Sequence, residues 1–189
     1  MTPADPIENG SFIAVVGPSG AGKDSVMRFA RAALADDLRV HFIRRVITRP
    51  RDEIGEDHQP ADDATFDAMR DDGRFALQWQ AHGNSYGIPV EADAMVVQGH
   101  VVIANLSRTV LAELPRRYRR PLVVEITAAP EILARRIAAR GRESEAEIAN
   151  RLARKVATAP FPGTIVIDNG GRLDEAGRAF ADLIRRQLA

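Results

Sequence analysis

With 189 residues, 26 Lys plus Arg, 26 Asp plus Glu and a formal net charge of zero, the chain fits one domain and lacks the basic excess typical of nucleic-acid-binding proteins. It contains no cysteine, which excludes disulfides, thiolate metal sites and cysteine nucleophiles. The polar residues 1–11 do not resemble a signal peptide, and the apolar runs are too short to span a bilayer, so we expect a cytoplasmic protein without membrane or nucleic-acid partners.

The first predicted elements are a buried strand over residues 12–16, a glycine-rich turn and a helix to about residue 35. The turn consists of Gly17, Pro18, Ser19, Gly20, Ala21, Gly22, Lys23, Asp24 and Ser25. Strand, turn and helix in this order are typical of an ATP-binding phosphate loop, although a glycine-rich turn in an ordinary strand–helix unit is the alternative. Backbone N–H groups and the helix N-terminus would face the phosphates, and Lys23 would reach the outer ones.

Asp24 stands where a Ser or Thr usually binds magnesium in such loops, and the hydroxyl follows one residue later at Ser25. Magnesium takes oxygen ligands and usually keeps several waters, so a carboxylate can serve directly or through water. Asp24 and Ser25 are therefore the candidate Mg²⁺ ligands, with Asp24 as an ordinary acid in the first turn of a helix as the alternative.

The next part of the chain is predicted to add a second strand and then a lobe over the substrate side. The strand covers residues 40–43. Residues 44–89 contain a long polar loop, a short helix over 63–72, and two strands, 75–81 and 86–89, joined by a turn.

Three further strands alternate with helical patterns, which predicts a parallel sheet with ligands at the carboxyl ends of its strands. The strands are predicted over 100–105, 121–127 and 164–167, and the helices over 89–98, 130–140 and 173–188. We therefore predict an α/β fold: a phosphate-loop three-layer α/β/α domain with a parallel five-stranded core sheet, an inserted substrate lobe and a helical lid.

The lid is predicted from a helix, a break at Gly141 and a capping box over residues 144–147 that begins a second helix. Arginines lie on both sides of the break, so residues 136–151 have the pattern of a closing lid with cations at its tip. A solvated helical hairpin with ordinary surface arginines is the alternative.

In the order of these motifs, the chain resembles the guanylate kinase-like group of phosphate-loop kinases over nearly its whole length. Residues 48–51, Thr-Arg-Pro-Arg, resemble the arginine turn that binds the acceptor phosphate, and residues 83–87 resemble the hairpin of the substrate lobe. The resemblance implies that Lys23, Arg136, Arg140 and Arg151 are catalytic, the last three as lid arginines.

The chain departs from the guanylate kinase pattern at the positions that read guanine. Gln78 stands where that group has a Glu, Arg45 where it has a Ser, and Ile88 where it has a hydroxyl. The end of the third core strand, residues 103–106, carries no acid, and His58 matches the tyrosine that contacts the acceptor phosphate only loosely. Guanine presents N–H groups that require a carboxylate partner, and Gln78 does not supply one. The sequence therefore indicates that the phosphate clamp is kept and that the residues reading guanine are lost.

This combination resembles the ribose 1,5-bisphosphate phosphokinase family, whose loop reads Gly-Lys-Asp-Ser. The resemblance implies that ATP and ribose 1,5-bisphosphate give ADP and 5-phosphoribosyl 1-diphosphate during phosphonate catabolism, with Mg²⁺ as cofactor and a sugar phosphate as the small-molecule partner. The candidate substrate-binding residues are Arg45, Arg49, Arg51, His58, Gln78 and Tyr86. A nucleoside monophosphate kinase with an altered base pocket and a non-catalytic interaction module are the alternatives, and the second has no need of an intact loop.

The acceptor in either kinase reaction is a phosphate oxygen that is already an anion, so no general base is required. The chemical difficulty is the alignment of two polyanions, which calls for cations. We predict that Arg45 binds the second phosphate of the sugar, and the alternative is that it pairs with an acid in the 52–57 loop.

Overall fold

A five-stranded parallel sheet forms the centre of the computed structural model, which describes residues 5–50, 57–139 and 161–188. The strands, in spatial order, are β2 (Val40–Phe42), β7 (Val101–Asn105), β1 (Ser11–Val16), β8 (Pro121–Thr127) and β9 (Ile165–Asp168). Every pairing between them is parallel. The predicted α/β fold with a parallel five-stranded sheet is thus confirmed, and each strand lies within one residue of its predicted bounds.

A second, four-stranded sheet is built from the region predicted to form the substrate lobe. In spatial order its strands are β4 (Gln59–Pro60), β3 (Val46–Ile47), β6 (Asn84–Pro89) and β5 (Phe75–Ala81). The antiparallel hairpin of β5 and β6 turns at His82 and Gly83, whose φ angles of 52° and 73° suit the tight turn between twisted strands.

The helices cover both faces of the parallel sheet. They are α1 (Lys23–Ala33), α2 (Asp63–Asp71), α3 (Glu91–Val97), a 3₁₀ helix (Arg108–Glu113), α4 (Leu114–Arg117), α5 (Pro130–Ala138) and α6 (Leu173–Arg186). Within the described parts of the chain, none of these helices combines the length and the apolar character that a membrane span requires. Of the predicted lid, the residues from 140 to 151 lie outside the described residues.

Alternation along β1 divides the core into two clusters, one on each face of the sheet. Ile13 and Val15 pack in a cluster that includes Val26 of α1 and Phe180 of α6. Phe12, Ala14 and Val16 pack in the other cluster, which includes Leu77 of β5, Val96 of α3 and Val110 of the 3₁₀ helix. The four-stranded sheet therefore adjoins the face opposite α1 and α6, and we call this the lobe face.

Candidate active site

The glycine-rich turn between β1 and α1 is packed tightly enough to require its glycines. Gly17 has a φ of 146°, and a Cβ built there would lie 2.0 Å from the carbonyl oxygen of Ile126 on β8. Gly20 and Gly22 both have a φ of 81°, in the left-handed region that favours glycine. This conformation turns backbone N–H groups inward at the start of α1, the geometry by which such loops bind phosphate.

Lys23 lies over the loop that precedes it. Its ammonium Nζ donates to the carbonyl oxygens of Gly17 at 2.9 Å and Pro18 at 3.2 Å. A flexible ammonium in this place is within reach of phosphate groups seated on the loop.

The loop is fixed to the last strand of the sheet by Asn169, which the sequence analysis did not single out. The Asn169 side chain is almost completely buried, and its Nδ2 donates to the Ala21 carbonyl oxygen at 2.7 Å. Its backbone N–H donates to the Thr127 carbonyl at 2.7 Å. Asn169 directly follows β9. Its position just past the carboxyl end of a parallel strand is the feature of the sequence that could have indicated a role near the site.

Arg136 is the one predicted lid arginine that lies within the described residues, and it contacts this same junction. Its Nη2 donates to the backbone carbonyl of Asn169 at 2.8 Å. Its Nη1 is buried and, within residues 5–50, 57–139 and 161–188, has no hydrogen-bond partner. A buried guanidinium nitrogen with an unused donor beside a phosphate loop fits an anionic ligand.

Asp24 in the first turn of α1 is held by the third core strand. Asn105, the last residue of β7, is buried, and its Nδ2 donates to Asp24 Oδ1 at 3.2 Å. The Asp24 carboxylate and the Ser25 hydroxyl are the oxygen ligands that magnesium prefers, so this pair fits the ion. Among the described residues, no group of three or more His, Cys, Asp or Glu could hold a metal, and a magnesium ion bound here would take its other ligands from phosphates and water.

The arginine turn is tied to the hairpin of the second sheet. Thr48 Oγ1 accepts from the Ser85 N–H at 2.8 Å, and the Thr48 N–H donates to the Ser85 carbonyl at 3.1 Å. His58 Nε2 donates to the Arg49 carbonyl at 3.1 Å, and the His58 side chain is fully buried. The predicted phosphate contact of His58 thus stays a prediction, while its observed contact supports the turn from behind; Arg51 lies outside the described residues.

Arg45 lies against two stacked aromatic rings of the hairpin. The Trp79 and Tyr86 rings are 5.3 Å apart at an interplanar angle of 6°, and the Arg45 Cζ lies 5.8 Å and 5.1 Å from their centroids. Arg45 is 8% exposed, so the aromatic faces stabilise a largely desolvated cation. Gln78 is exposed and precedes Trp79 on β5, so its side chain points to the opposite face of the strand. The structure brings Arg45 and Tyr86 together and separates Gln78 from them.

The alternative for Arg45, a partner in the acidic loop, concerns residues that lie mostly outside the described part of the chain. Of that loop, Asp57 is described, and its carboxylate forms ion pairs with Arg44 at 3.4 Å and Arg31 at 3.9 Å.

Comparison with known proteins gives matches along most of the chain. A family model described as AAA domain matches residues 13–155. The ribose 1,5-bisphosphate phosphokinase PhnN of Brucella melitensis is 52% identical over 172 residues, which cover 90% of each chain. The protein of that name from Methylobacterium radiotolerans is 50% identical over 176 residues, 93% of this chain and 98% of the relative.

Among solved structures, the guanylate kinase from Anaplasma phagocytophilum matches with a TM-score of 0.66. The match covers 95% of this chain and 87% of that chain. With 18% sequence identity, this similarity concerns the fold alone.

Proposed function

Because the chain carries an AAA domain and belongs to the ribose 1,5-bisphosphate phosphokinase family, we propose that it transfers the γ-phosphoryl group of ATP to ribose 1,5-bisphosphate. The products are ADP and 5-phosphoribosyl 1-diphosphate. The observation that carries the proposal is the cation of Arg45 against the Trp79 and Tyr86 rings. Arg45 directly precedes β3, after which the arginine turn follows, and it stands where a guanylate kinase reads its base. In this proposal the enzyme is cytoplasmic and supplies the diphosphate during phosphonate breakdown.

The donor side of the site consists of the phosphate loop, Lys23 and Arg136. The oxygens of ATP phosphates on the loop would accept hydrogen bonds from its backbone N–H groups. The Lys23 ammonium would exchange its two carbonyl contacts for contacts with phosphate oxygens. Arg136 would direct its unused Nη1 donor at the same anion. Asp24 and Ser25 would hold magnesium, which when bound neutralises charge on the donor phosphates.

The acceptor side consists of the arginine turn and Arg45. An oxygen of the acceptor 1-phosphate attacks the γ-phosphorus, the bond between that phosphorus and its bridging oxygen breaks, and ADP leaves with the electron pair. No proton has to be removed from the nucleophile. Arg49 and Arg51 would hold this phosphate, the lid arginines Arg140 and Arg151 would meet the transferring group, and Arg45 would bind the 5-phosphate.

The same side disfavours nucleotides. Guanine presents an N–H and an amino group that require an acceptor such as a carboxylate, and a site left with unpaired donors rejects such a ligand strongly. Arg45 adds donors to the pocket, and the exposed Gln78 lies on the other face of β5.

An acceptor panel tests the proposal. Ribose 1,5-bisphosphate, GMP and AMP are incubated separately with ATP and magnesium, and the products are identified by phosphorus NMR. We expect a new diphosphate with the ribose bisphosphate and little turnover of the nucleotides. Efficient phosphorylation of GMP with none of the bisphosphate would reject the proposal in favour of a nucleoside monophosphate kinase, and no turnover at all would favour an interaction module.

Variants separate the two sides of the site. Arg49→Ala should raise the acceptor KM and lower kcat, together by about a hundredfold or more, because a lost bidentate clamp removes two charged hydrogen bonds. Lys23→Ala should chiefly affect ATP. Arg44→Ala is the matched control, since Arg44 lies in the same segment but forms an exposed ion pair with Asp57. Equal loss of ATP affinity in Arg49→Ala would remove Arg49 from the acceptor side.

A further inference from the structure

An ion pair between Arg108 and Glu125 lies at the carboxyl edge of the parallel sheet. Glu125 on β8 is in register with Val16, the last residue of β1, after which the phosphate loop begins. Arg108 begins the 3₁₀ helix shortly after Asn105, which ends β7. Arg108 Nη2 donates to Glu125 Oε1. Because β1 lies between β7 and β8, the pair crosses the strand that leads into the loop.

The pair is on the lobe face of the sheet. In a parallel sheet, residues in register point to the same face, so Glu125 points with Val16, and alternation along β8 places Val123 there as well. Val16 and Val123 pack in the cluster that includes Leu77 of β5, and the 3₁₀ helix contacts β5. The pair therefore lies on the side of the sheet from which the four-stranded sheet presents the arginine turn.

Exposure and charge show what the pair can do. The side chains of Arg108 and Glu125 are 26% and 29% exposed, so both remain within reach of a ligand. Within the described parts of the chain, Arg108 donates to Glu125, and a guanidinium with five N–H groups keeps donors for a second anion. A lone carboxylate beside the phosphate loop would repel phosphates, and its pairing with Arg108 removes that repulsion.

We propose that Arg108 binds the acceptor phosphate at the point of transfer and that Glu125 is a positioning residue that fixes the Arg108 guanidinium. This inference rests on the proposed function, in which two polyanions meet in front of β1. The arginine turn approaches the acceptor from the four-stranded sheet, and Arg108 approaches it from the parallel sheet. Arg108 is held by Glu125, which is in register with the last residue before the phosphate loop.

The test uses four proteins: the wild type, Arg108→Gln, Glu125→Gln and the double variant. Arg108→Gln should lower kcat/KM for ribose 1,5-bisphosphate by about 10- to 100-fold. The ATP KM should rise by a smaller factor, because the variant also leaves Glu125 unpaired near the phosphate loop. The loss should exceed that of the double variant, because the single variant leaves Glu125 as an unpaired carboxylate facing the acceptor. Glu125→Gln alone should give a smaller loss, since the Arg108 cation remains.

Two controls separate substrate binding from folding. Arg74→Gln removes an exposed ion pair with Glu91, at 3.8 Å, and should leave the kinetics unchanged. Arg108→Lys keeps the cation and should retain part of the lost activity. If Arg108→Gln lowers the melting temperature sharply, Arg108→Lys and the double variant provide the comparison instead.

An unchanged acceptor KM and kcat in Arg108→Gln, an equal loss of ATP affinity, or losses in the two single variants that add in the double variant would each overturn the inference. These outcomes differ from a failure of the proposed function, which is read from the wild type alone. If the wild type phosphorylates another acceptor of the panel, the same four proteins are compared with that acceptor, and an unchanged acceptor KM and kcat there rejects Arg108 equally.

Discussion

Replacing Gly22 by Ala tests how firmly the phosphate loop is fixed to the last strand of the sheet. Gly22 has φ 81° and ψ 26°, a left-handed conformation that costs a residue with a Cβ about 1–2 kcal/mol. A Cβ built at Gly22 lies 2.5 Å from Asn169 Nδ2, a distance that real Cβ atoms essentially never show. The added methyl group must therefore push the Asn169 amide away from the Ala21 carbonyl, which it contacts at 2.7 Å.

The loss in free energy of unfolding caused by Gly22→Ala has two separable parts. Backbone strain contributes about 1–2 kcal/mol, and a buried carbonyl that loses its partner contributes about 1–3 kcal/mol, so Gly22→Ala should lower the free energy of unfolding by about 2–5 kcal/mol. Asn169→Ala alone should cost about 1–3 kcal/mol through the same carbonyl. In the double variant the second part is lost only once, so the two changes should be less than additive by about 1–3 kcal/mol.

Urea unfolding of the wild type, Gly22→Ala, Asn169→Ala and the double variant measures this coupling. ATP titration of the same proteins shows whether losing the Asn169 contact also weakens ATP binding by the loop. Gly99→Ala is the strain control: Gly99 has a φ of 84°, and a Cβ built there meets nothing within 4 Å. A Gly22→Ala cost no larger than that of Gly99→Ala, or strict additivity with Asn169→Ala, would refute the argument that the Asn169 amide fixes the loop.

The remaining predictions concern the metal, pH and the core. Asp24→Asn should raise the magnesium concentration needed at saturating ATP, and Asp24→Ser should keep substantial activity, because the carboxylate that Asn105 orients is the candidate ligand; an unchanged magnesium titration leaves Asp24 as a helix-start residue. The pKa of His41 is lowered from 6.5 by burial and by the nearby His100. Below about pH 6.5 the unfolded chain therefore binds more protons than the folded chain, and the midpoint of urea unfolding should fall as the pH falls. The fall should be less steep in His41→Gln. Tyr118→Phe removes a 2.8 Å hydrogen bond from the phenol to a carboxylate of α3 and should lower the free energy of unfolding by about 1 kcal/mol, while an unchanged melting temperature would contradict this.

The parts of the fold that the sequence predicts are those coded locally. The five core strands are short apolar runs bounded by turn residues, and the phosphate loop is one short segment with three glycines between a strand and a helix. Asn169 belongs to another class, because its partner Ala21 is 148 residues away. A single polar residue such as Asn169 forms no periodic pattern, so its contact with Ala21 becomes visible only when the order of the strands in the sheet is known.

The candidate site divides in the same way. Separate motifs predict Arg45 and Tyr86 as substrate contacts, and the structure brings the two side chains together because β6 of the hairpin pairs with β3, which Arg45 directly precedes. A loose match predicts the same role for His58. Its full burial depends on packing behind the arginine turn, which no pattern in residues 44–63 indicates.

The tie between Ala21 and Asn169 also governs when the loop can form during synthesis. Ile13 in β1 is paired with Ile103 on one side and Leu122 on the other, and Asn169 adds its amide from still further along the chain. A ribosome therefore releases the glycine-rich segment before the residues that fix it, and such distant pairings form slowly. Until Asn169 has been made, a growing chain carries the phosphate-loop sequence without this contact, so we expect such a chain to bind nucleotide more weakly than the folded protein.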